Sequence, residues 1–403
     1  MNDDEQSSRP PAEGDVPAPA EPEGTPPEHE EAPFVGPGGA TLVESTRWRS
    51  LLENRKRLLL LALLPLLVVG VLLLVTAALG DGALVDAAEQ ADGRWLFLCA
   101  GGEVLAYTGY VIVFRVAAGA NGGPRLGFRS SLHVVFAGLG ATRLLAAGGA
   151  GGLAVFYWSL RRAGAETRDA VVRVLGMNVF LFVIFGGAGW LAALVVLASD
   201  SSEVPYIIVI PWLVIAPLLL GVLIGVSHRG NHRGERRLPM LSERWPRQIR
   251  EGLAGVAPGI GLSLRLVTQG RTARRSLPGA FLYWFGDILC LYAALRAFGV
   301  ELPVEAVVLG YATGYLTALL PLPTGAEGAN EAATLFALVA LGAPLAPTLL
   351  AVLVFRLFSF WLPTIPAILT LPTLPRLGRR LAREAGVEEP AAPTPAPADV
   401  AAP

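Results

Sequence analysis

Long apolar runs dominate the chain, separated by short loops in which arginines and acids fall in different places. Segments at roughly 58–79, 95–118, 170–198, 204–226, 277–298, 304–320 and 345–371 each approach the ~20 residues that an α-helix needs to cross the hydrocarbon of a bilayer. Three further segments, 130–160, 251–270 and 322–343, are apolar but broken by glycine, proline or charge. Lipid cannot hydrogen-bond to exposed amides, so runs of this length read as helices. The pattern predicts an all-α, polytopic integral membrane protein with six to eight transmembrane helices, one or two re-entrant segments and an internal repeat.

The arginines orient these segments. Arg47, Arg49, Arg55, Lys56 and Arg57 precede the first run and hold the N-terminus in the cytoplasm by the positive-inside bias. Asp81, Asp86, Glu89 and Asp92 follow that run, and Asp200, Glu203, Glu301 and Glu305 mark other outside loops. The loop 227–250 holds Arg229, Arg233, Arg236, Arg237, Arg244, Arg247 and Arg250 and is assigned inside, where it would meet anionic head groups. Arg376, Arg379, Arg380 and Arg383 place the C-terminus inside as well.

Segment 130–160 lies between Arg125 and Arg129 on one side and Arg161, Arg162 and Arg168 on the other. Both ends therefore want the same side, and the segment is expected to enter and return, which implies a cavity or protein contact for its broken backbone. Segment 251–270, between Arg250 and Arg271, reads as an interfacial or shallow re-entrant helix. The span count is eight if 322–343 crosses and six if it pairs with 304–320 as a second hairpin. Leu144–Ala165 echoes Leu319–Ala343: each runs Leu-Leu, a glycine-rich break, an apolar helix, then leucine and a terminal Gly-Ala. Paired broken segments in two halves of a membrane protein point to a binding site between them.

Composition sharpens the class. The chain is 53% apolar with a net charge of -1 and a mean hydropathy of +0.52, which argues against a soluble protein. Lys56 is the only lysine, and with the abundance of Ala, Gly, Pro and Arg it suggests a genome of high GC content. Cys99 and Cys290 both fall in apolar runs, so no disulfide framework is expected. Residues 1–45 are acidic and proline-rich with few aliphatic side chains, and such a tail does not bury enough surface to order itself. The expected organisation is a disordered cytoplasmic tail over 1–45, a membrane domain over 46–375, and a basic, then Ala/Pro-rich, cytoplasmic tail over 376–403. The first apolar run begins only at Leu58, so no cleaved signal peptide is expected.

Ionisable side chains inside spans cost about 2.5–3.5 kcal/mol each on insertion scales, which makes each a site candidate. They are Glu103, Arg115, Arg143, Asp287, Arg296, Glu327, Glu331 and Arg356. Arg115 and Arg296 sit near segment ends, where they can snorkel to the interface. For Glu103 and Asp287 two readings stand, a structural pair with an arginine or a proton relay. The richest constellation is PLPTGAEGANEA, Pro321–Ala332, followed by FRLFSFWLP, Phe355–Pro363. Pro321 and Pro323 end one helix, Gly325 and Gly328 permit close backbone approach, and Glu327 and Glu331 share a face of the helix that follows. Arg356 can hold a carboxylate or a lipid phosphate. Either it forms a structural ion pair with Glu331, or the two line a head-group path together with Glu327, Gly325, Gly328 and Arg143, where a helix N-terminus after Gly325 would favour phosphate.

These residues resemble the membrane region of lysylphosphatidylglycerol synthases, the flippase-like domain family. Gly325, Gly328, Glu331, Gly342, Arg356, Phe360, Trp361 and Pro363 match its Gly-rich, acidic and Arg…Phe-Trp-Leu-Pro elements, and WSLRRAG, Trp158–Gly164, is similar to its Leu-Arg-Arg-x-Gly. The chain departs from the pattern at Thr324, Ala326 and Glu327, and Thr142 stands where an acid is common beside Gly140 and Arg143. The resemblance implies lipid translocation by a stand-alone membrane part, on a phospholipid or polyprenyl-linked lipid, with a separate transferase as partner. It implies no cofactor, and no catalytic motif is present, so no enzyme activity is expected. The rival expectations are a membrane subunit of a glycosyl- or aminoacyl-transferase system, and a structural assembly protein. His228 and His232 lie four apart in a basic loop without a clear third ligand, so neither a metal site nor nucleic-acid binding is expected. The expected location is the inner cell membrane; lipid identity and oligomeric state are not encoded legibly.

Overall fold

The computed structural model describes residues 86, 88–89, 91–145, 150–199, 205–232, 256–317 and 328–387, and among these it contains helices and no strands. In chain order the helices are α1 (Arg94–Ala118), α2 (Phe128–Leu145), α3 (Ala150–Arg162), α4 (Thr167–Ala198), α5 (Tyr206–His232), α6 (Val256–Thr268), α7 (Gly270–Ala297), α8 (Val304–Leu316), α9 (Ala329–Ala340), α10 (Leu345–Arg356), α11 (Leu362–Thr370) and α12 (Leu374–Ala385). A π turn, Leu357–Trp361, joins α10 to α11, and a 3₁₀ turn, Leu371–Thr373, joins α11 to α12. Five stretches among the described residues are long and apolar enough to cross a membrane: α1, α4, Tyr206–Val226 of α5, α7, and the rod Leu345–Ala385. The chain is thus an all-α polytopic membrane protein. The tails, segment 58–79 and most of the loop 227–250 lie outside the described residues.

The two halves repeat one plan: a long helix, a helical hairpin, then another long rod. α1, the α2–α3 hairpin and α4 make the first half; α7, the α8–α9 hairpin and the α10–α11 rod make the second. In the second hairpin a Cβ on Gly310 would strike Leu338, and one on Gly314 would strike Thr334, so α8 and α9 run antiparallel. Thirteen- and twelve-residue helices rise only ~20 Å, short of the ~30 Å hydrocarbon. The described parts of segments 304–320 and 322–343 are thus shorter apolar helices, and residues 318–327 between them lie outside the described residues. The first hairpin is built alike: Gly138 faces the Phe156 ring at 3.0 Å and Gly152 faces Thr142 Oγ1 at 2.6 Å from their would-be Cβ atoms. The two echoing sequence stretches are the second arms of these hairpins.

The leading helices of the two halves, α1 and α7, form the most extensive helix pair and cross antiparallel. Gly102 lies against Gly286 and Cys290, while Gly109 lies against Gly279 and Tyr283. A Cβ on Gly102 would come within 2.5 Å of the Gly286 carbonyl oxygen, so only glycine lets the backbones meet. Small residues replace the hydrophobic effect as the basis of close packing between helices in lipid. Antiparallel leading helices make the two halves inverted relative to each other, the arrangement in which broken segments meet near the midplane.

α6 packs along α4 through Gly259 and Gly176, with Leu262, Ser263 and Leu266 buried, so this segment is part of the helix bundle. At the open end of the first hairpin, Glu384 of α12 accepts the Gly127 N–H at 2.9 Å and the Ser130 hydroxyl at 2.6 Å. Outward, α5 exposes Ile207, Ile210, Val214, Leu218, Leu219 and Val222, a surface suited to acyl chains.

Two substitutions test the crossing. Gly286→Ala should destabilise the protein by about 1–3 kcal/mol through overpacking, whereas Gly101→Ala, which meets open space, should be neutral or slightly stabilising. Thermal unfolding in detergent, followed with a thiol-reactive dye on the buried Cys99 and Cys290, reads the difference; equal midpoints would contradict the glycine argument.

Candidate functional site

The hairpin ends and the π turn converge on one buried ring. α2 ends at Leu145 and carries Arg143 in its last turn, and the Arg143 guanidinium lies 3.3 Å from the centroid of Phe360. Arg356, the last residue of α10, places its own guanidinium 4.6 Å from the same centroid. Phe360 is buried, and an aromatic face attracts each cation through its quadrupole. Two guanidinium groups over one ring nevertheless repel each other and require nearby negative charge.

Glu331 supplies part of it. Gly328, with φ of +83°, turns the chain into α9 in a conformation that side chains rarely adopt. The Gly328 N–H then donates to Glu331 Oε2 at 2.6 Å, so the carboxylate caps its own helix. Its other oxygen, Oε1, accepts from Arg356 Nε. Both side chains are mostly buried, 13% exposed for Arg356 and 22% for Glu331. One carboxylate therefore fixes the start of α9 and the guanidinium plane of Arg356 together.

Behind the π turn lies a second polar layer. Pro363 has no N–H to donate to the carbonyl four residues earlier, that of Ser359, which instead accepts from the Tyr107 hydroxyl at 3.4 Å. One turn from Tyr107 on α1 sits Glu103, next to Gly102 of the crossing. Across the crossing, Asp287 follows Gly286. The crossing sets Glu103 and Asp287 on facing helices within electrostatic reach of each other, and Asp287 Oδ2 accepts from the Tyr311 hydroxyl. Asp287 further lies within electrostatic reach of Arg356. Phe185, Trp284, Tyr311 and Tyr315 pack edge to face, tilted or, for Tyr311 on Tyr315, stacked beneath this layer, with centroids 4.6–6.3 Å apart.

Beside Tyr107 a groove of about 340 Å³ is lined by Val104, Tyr107, Leu132, Phe136, Leu362 and Pro363, among others. Its walls come from α1, α2 and α11 and are almost wholly apolar. Val104 and Leu362 at its rim are exposed, so it opens sideways onto the apolar surface. Tyr107, stacked on Phe136 at 5.2 Å, separates the groove from the charged layer.

Of the residues singled out in the sequence, Arg143, Gly328, Glu331 and Arg356 come together here, with Glu103 and Asp287 behind them. Gly325 and Glu327 lie outside the described residues, and the described helix starts at Ala329. Glu103 and Asp287 stand within electrostatic reach of each other, and Asp287 also of Arg356. Arg115 donates to the Leu126 carbonyl at 2.9 Å and Arg296 pairs with Glu301 at 2.9 Å, away from this cluster. Sequence reasoning missed Tyr107, Tyr311 and the cation–π role of Phe360; the only signal for Tyr107 was its place four residues after Glu103. Among the described residues no three metal-ligating side chains gather.

Fold and site together define a polytopic membrane protein with inverted, broken halves that meet around buried charge. The lysylphosphatidylglycerol synthase TM region family matches residues 58–367, which is more than half of the chain, and the protein belongs to that family. It is accordingly a membrane protein related to lipid handling. No individual curated protein matches the chain.

Removing either partner of the Glu331–Arg356 pair should leave a buried charge unanswered. A double-mutant cycle with Glu331→Gln and Arg356→Leu should show a coupling of about 1–3 kcal/mol in detergent stability, the double variant being milder than the sum. Additive effects would mean that the two groups do not interact.

Proposed function

We propose that this protein translocates a phosphate-bearing lipid across the bilayer, with Arg143 and Arg356 as the head-group contacts. The observation that carries the reading is the convergence of two arginines, one from each inverted half, on Phe360 next to a groove open to the lipid phase. Guanidinium groups match phosphate oxygens in shape and charge, and the groove matches an acyl or polyprenyl chain. Membership of a lipid-handling family supports the same substrate class.

The proposed movement keeps the head group on a polar path while its tails stay outside. Arg143 comes from the last turn of α2 in one half and Arg356 from the end of α10 in the other, so a small tilt of one half against the other would expose them to alternate sides. Glu331 holds Arg356 in the empty site and yields it when a phosphate arrives, exchanging one anion for another. In this reading the protein carries out no chemistry of its own, resides in the cell membrane and keeps both termini in the cytoplasm. The Arg-rich loop 227–250 would then face the anionic inner surface.

Liposomes containing the purified protein and fluorescently headed phosphatidylglycerol test the proposal by access of the label to an external quencher. Wild type should move lipid faster than empty liposomes, and Arg143→Gln and Arg356→Ala should each slow this by about tenfold or more, the worth of one charge-assisted hydrogen bond. Arg356→Lys should fall between, since it keeps the charge and loses the planar fork. Movement by wild type no faster than by empty liposomes would overturn the reading.

A further inference from the structure

The groove beside Tyr107 has room for a lipid tail but offers nothing to a head group. Both hydroxyl groups on its wall are already engaged: Thr108 donates to the Val104 carbonyl at 2.7 Å and Tyr107 to that of Ser359 at 3.4 Å. The rest of the lining is aliphatic or aromatic. A lipid lodged there must keep its polar part beyond one end of the groove. One end lies toward Leu362 and the π turn. The other lies at Phe128, the first residue of α2, which is 41% exposed.

At the Phe128 end, where the loop 119–127 joins α1 to α2, arginines gather. Phe128, Leu132 and Phe136 recur every four residues and so line one face of α2. Val104, Thr108 and Arg115 likewise share a face of α1, so Arg115 continues the groove wall outward. Arg115 Nε donates to the Leu126 carbonyl at 2.9 Å, which ties it to the start of α2. Arg125 and Arg129 stand on either side of Phe128 in the chain, and all three arginines are exposed. Glu384 accepts from the Gly127 N–H and the Ser130 hydroxyl and is already paired with Arg380 at 3.0 Å. Among the described residues neither Arg125 nor Arg129 has an acidic partner.

Length decides what fits. Along α2 the rise from Phe128 to Phe136 is about 12 Å, and along α1 that from Arg115 to Val104 is about 16 Å. One leaflet contributes about 15 Å of hydrocarbon, so the groove matches the tail of a lipid still seated in its own leaflet. We infer that Arg115, Arg125 and Arg129 form a second anion site, an entry station at which an anionic phospholipid rests its phosphate on the arginines and one acyl chain in the groove. This inference rests on the lipid reading above and adds the side of entry: the leaflet beside the loop 119–127, which the arginine pattern assigns to the cytoplasm. Arg129 and Arg143 lie fourteen residues apart on α2, about 21 Å, so the head group passes along one helix from the first station to the second. Holding the lipid at the mouth makes that passage an intramolecular step.

Photolabelling of the full-length protein in liposomes tests this. Phosphatidylglycerol with a diazirine at the middle of one chain should label Leu132 and Phe136, read by mass spectrometry, about fivefold or more above phosphatidylcholine carrying the same chain, the worth of one arginine near a membrane surface. Arg125→Gln/Arg129→Gln should bring labelling by phosphatidylglycerol down to the phosphatidylcholine level. Arg143→Gln/Arg356→Gln should stop translocation yet leave this labelling in place, because the lipid halts at the mouth first. Labelling of the exposed face of α5 should be alike for both lipids and all variants. Equal labelling of the groove by the two lipids, or labelling by phosphatidylglycerol that survives Arg125→Gln/Arg129→Gln, would overturn the entry station and leave translocation through Arg143 and Arg356 standing. The expected labelling in a protein that moves lipid no faster than empty liposomes would overturn translocation and keep the binding site.

Discussion

A guanidinium in the interior of a bilayer has no water to turn to, and the architecture around Phe360 answers that constraint twice. Arg143 and Arg356 each gain an aromatic face, and Arg356 gains a carboxylate that is itself held by the Gly328 N–H. That carboxylate also starts α9, so the ion pair and the fold of the second hairpin are one structure. The placing of Glu103 and Asp287 behind them depends in turn on the glycine crossing of α1 and α7, which sets Gly102 against Gly286 and so brings the next residue of each helix near the seam. Loss of close packing at the glycines would separate the acids as surely as substituting them.

The inverted relation of the two halves explains why charge is tolerated here at all. Each half carries a helical hairpin whose arms pack antiparallel, and charge inside a bilayer needs protein groups around it. Arg143 near the end of α2 and Glu331 in the first turn of α9 bring charge from both halves to Phe360 and Arg356. Pro363 contributes by freeing the Ser359 carbonyl for Tyr107, which closes the charged layer off from the apolar groove. Polar head and apolar tail would thus find separate surroundings a few ångströms apart, divided by a single tyrosine ring.

Much of this was legible in the sequence because membranes make local pattern strong. Run length and arginine placement revealed the helices and the first hairpin, and a shared order of Leu-Leu, glycine break and apolar helix related Leu144–Ala165 to Leu319–Ala343. The link from Glu331 to Arg356 was one of the two readings the sequence left open, since Arg356 is the arginine in the neighbouring apolar segment. What lay beyond reach were contacts set by helix register. Nothing near Glu103 in the chain announces Asp287, because their meeting depends on which faces of α1 and α7 the glycines choose. Tyr107 and Tyr311 resemble ordinary core aromatics until their hydroxyl groups are placed. The antiparallel packing of 304–316 on 329–340, through Gly310 and Gly314, likewise depends on helix faces that hydropathy does not reveal.

The central claim is that a lipid phosphate reaches the two arginines over Phe360. Solid-state NMR measures this directly, through the dipolar coupling between guanidinium ¹⁵N of the labelled protein and ³¹P of phosphatidylglycerol in the surrounding bilayer. The account predicts a short-range ¹⁵N–³¹P contact that disappears in Arg143→Gln/Arg356→Gln while contacts of the surface arginines persist. A spectrum unchanged by that double substitution would place every phosphate at the membrane surface and contradict the account.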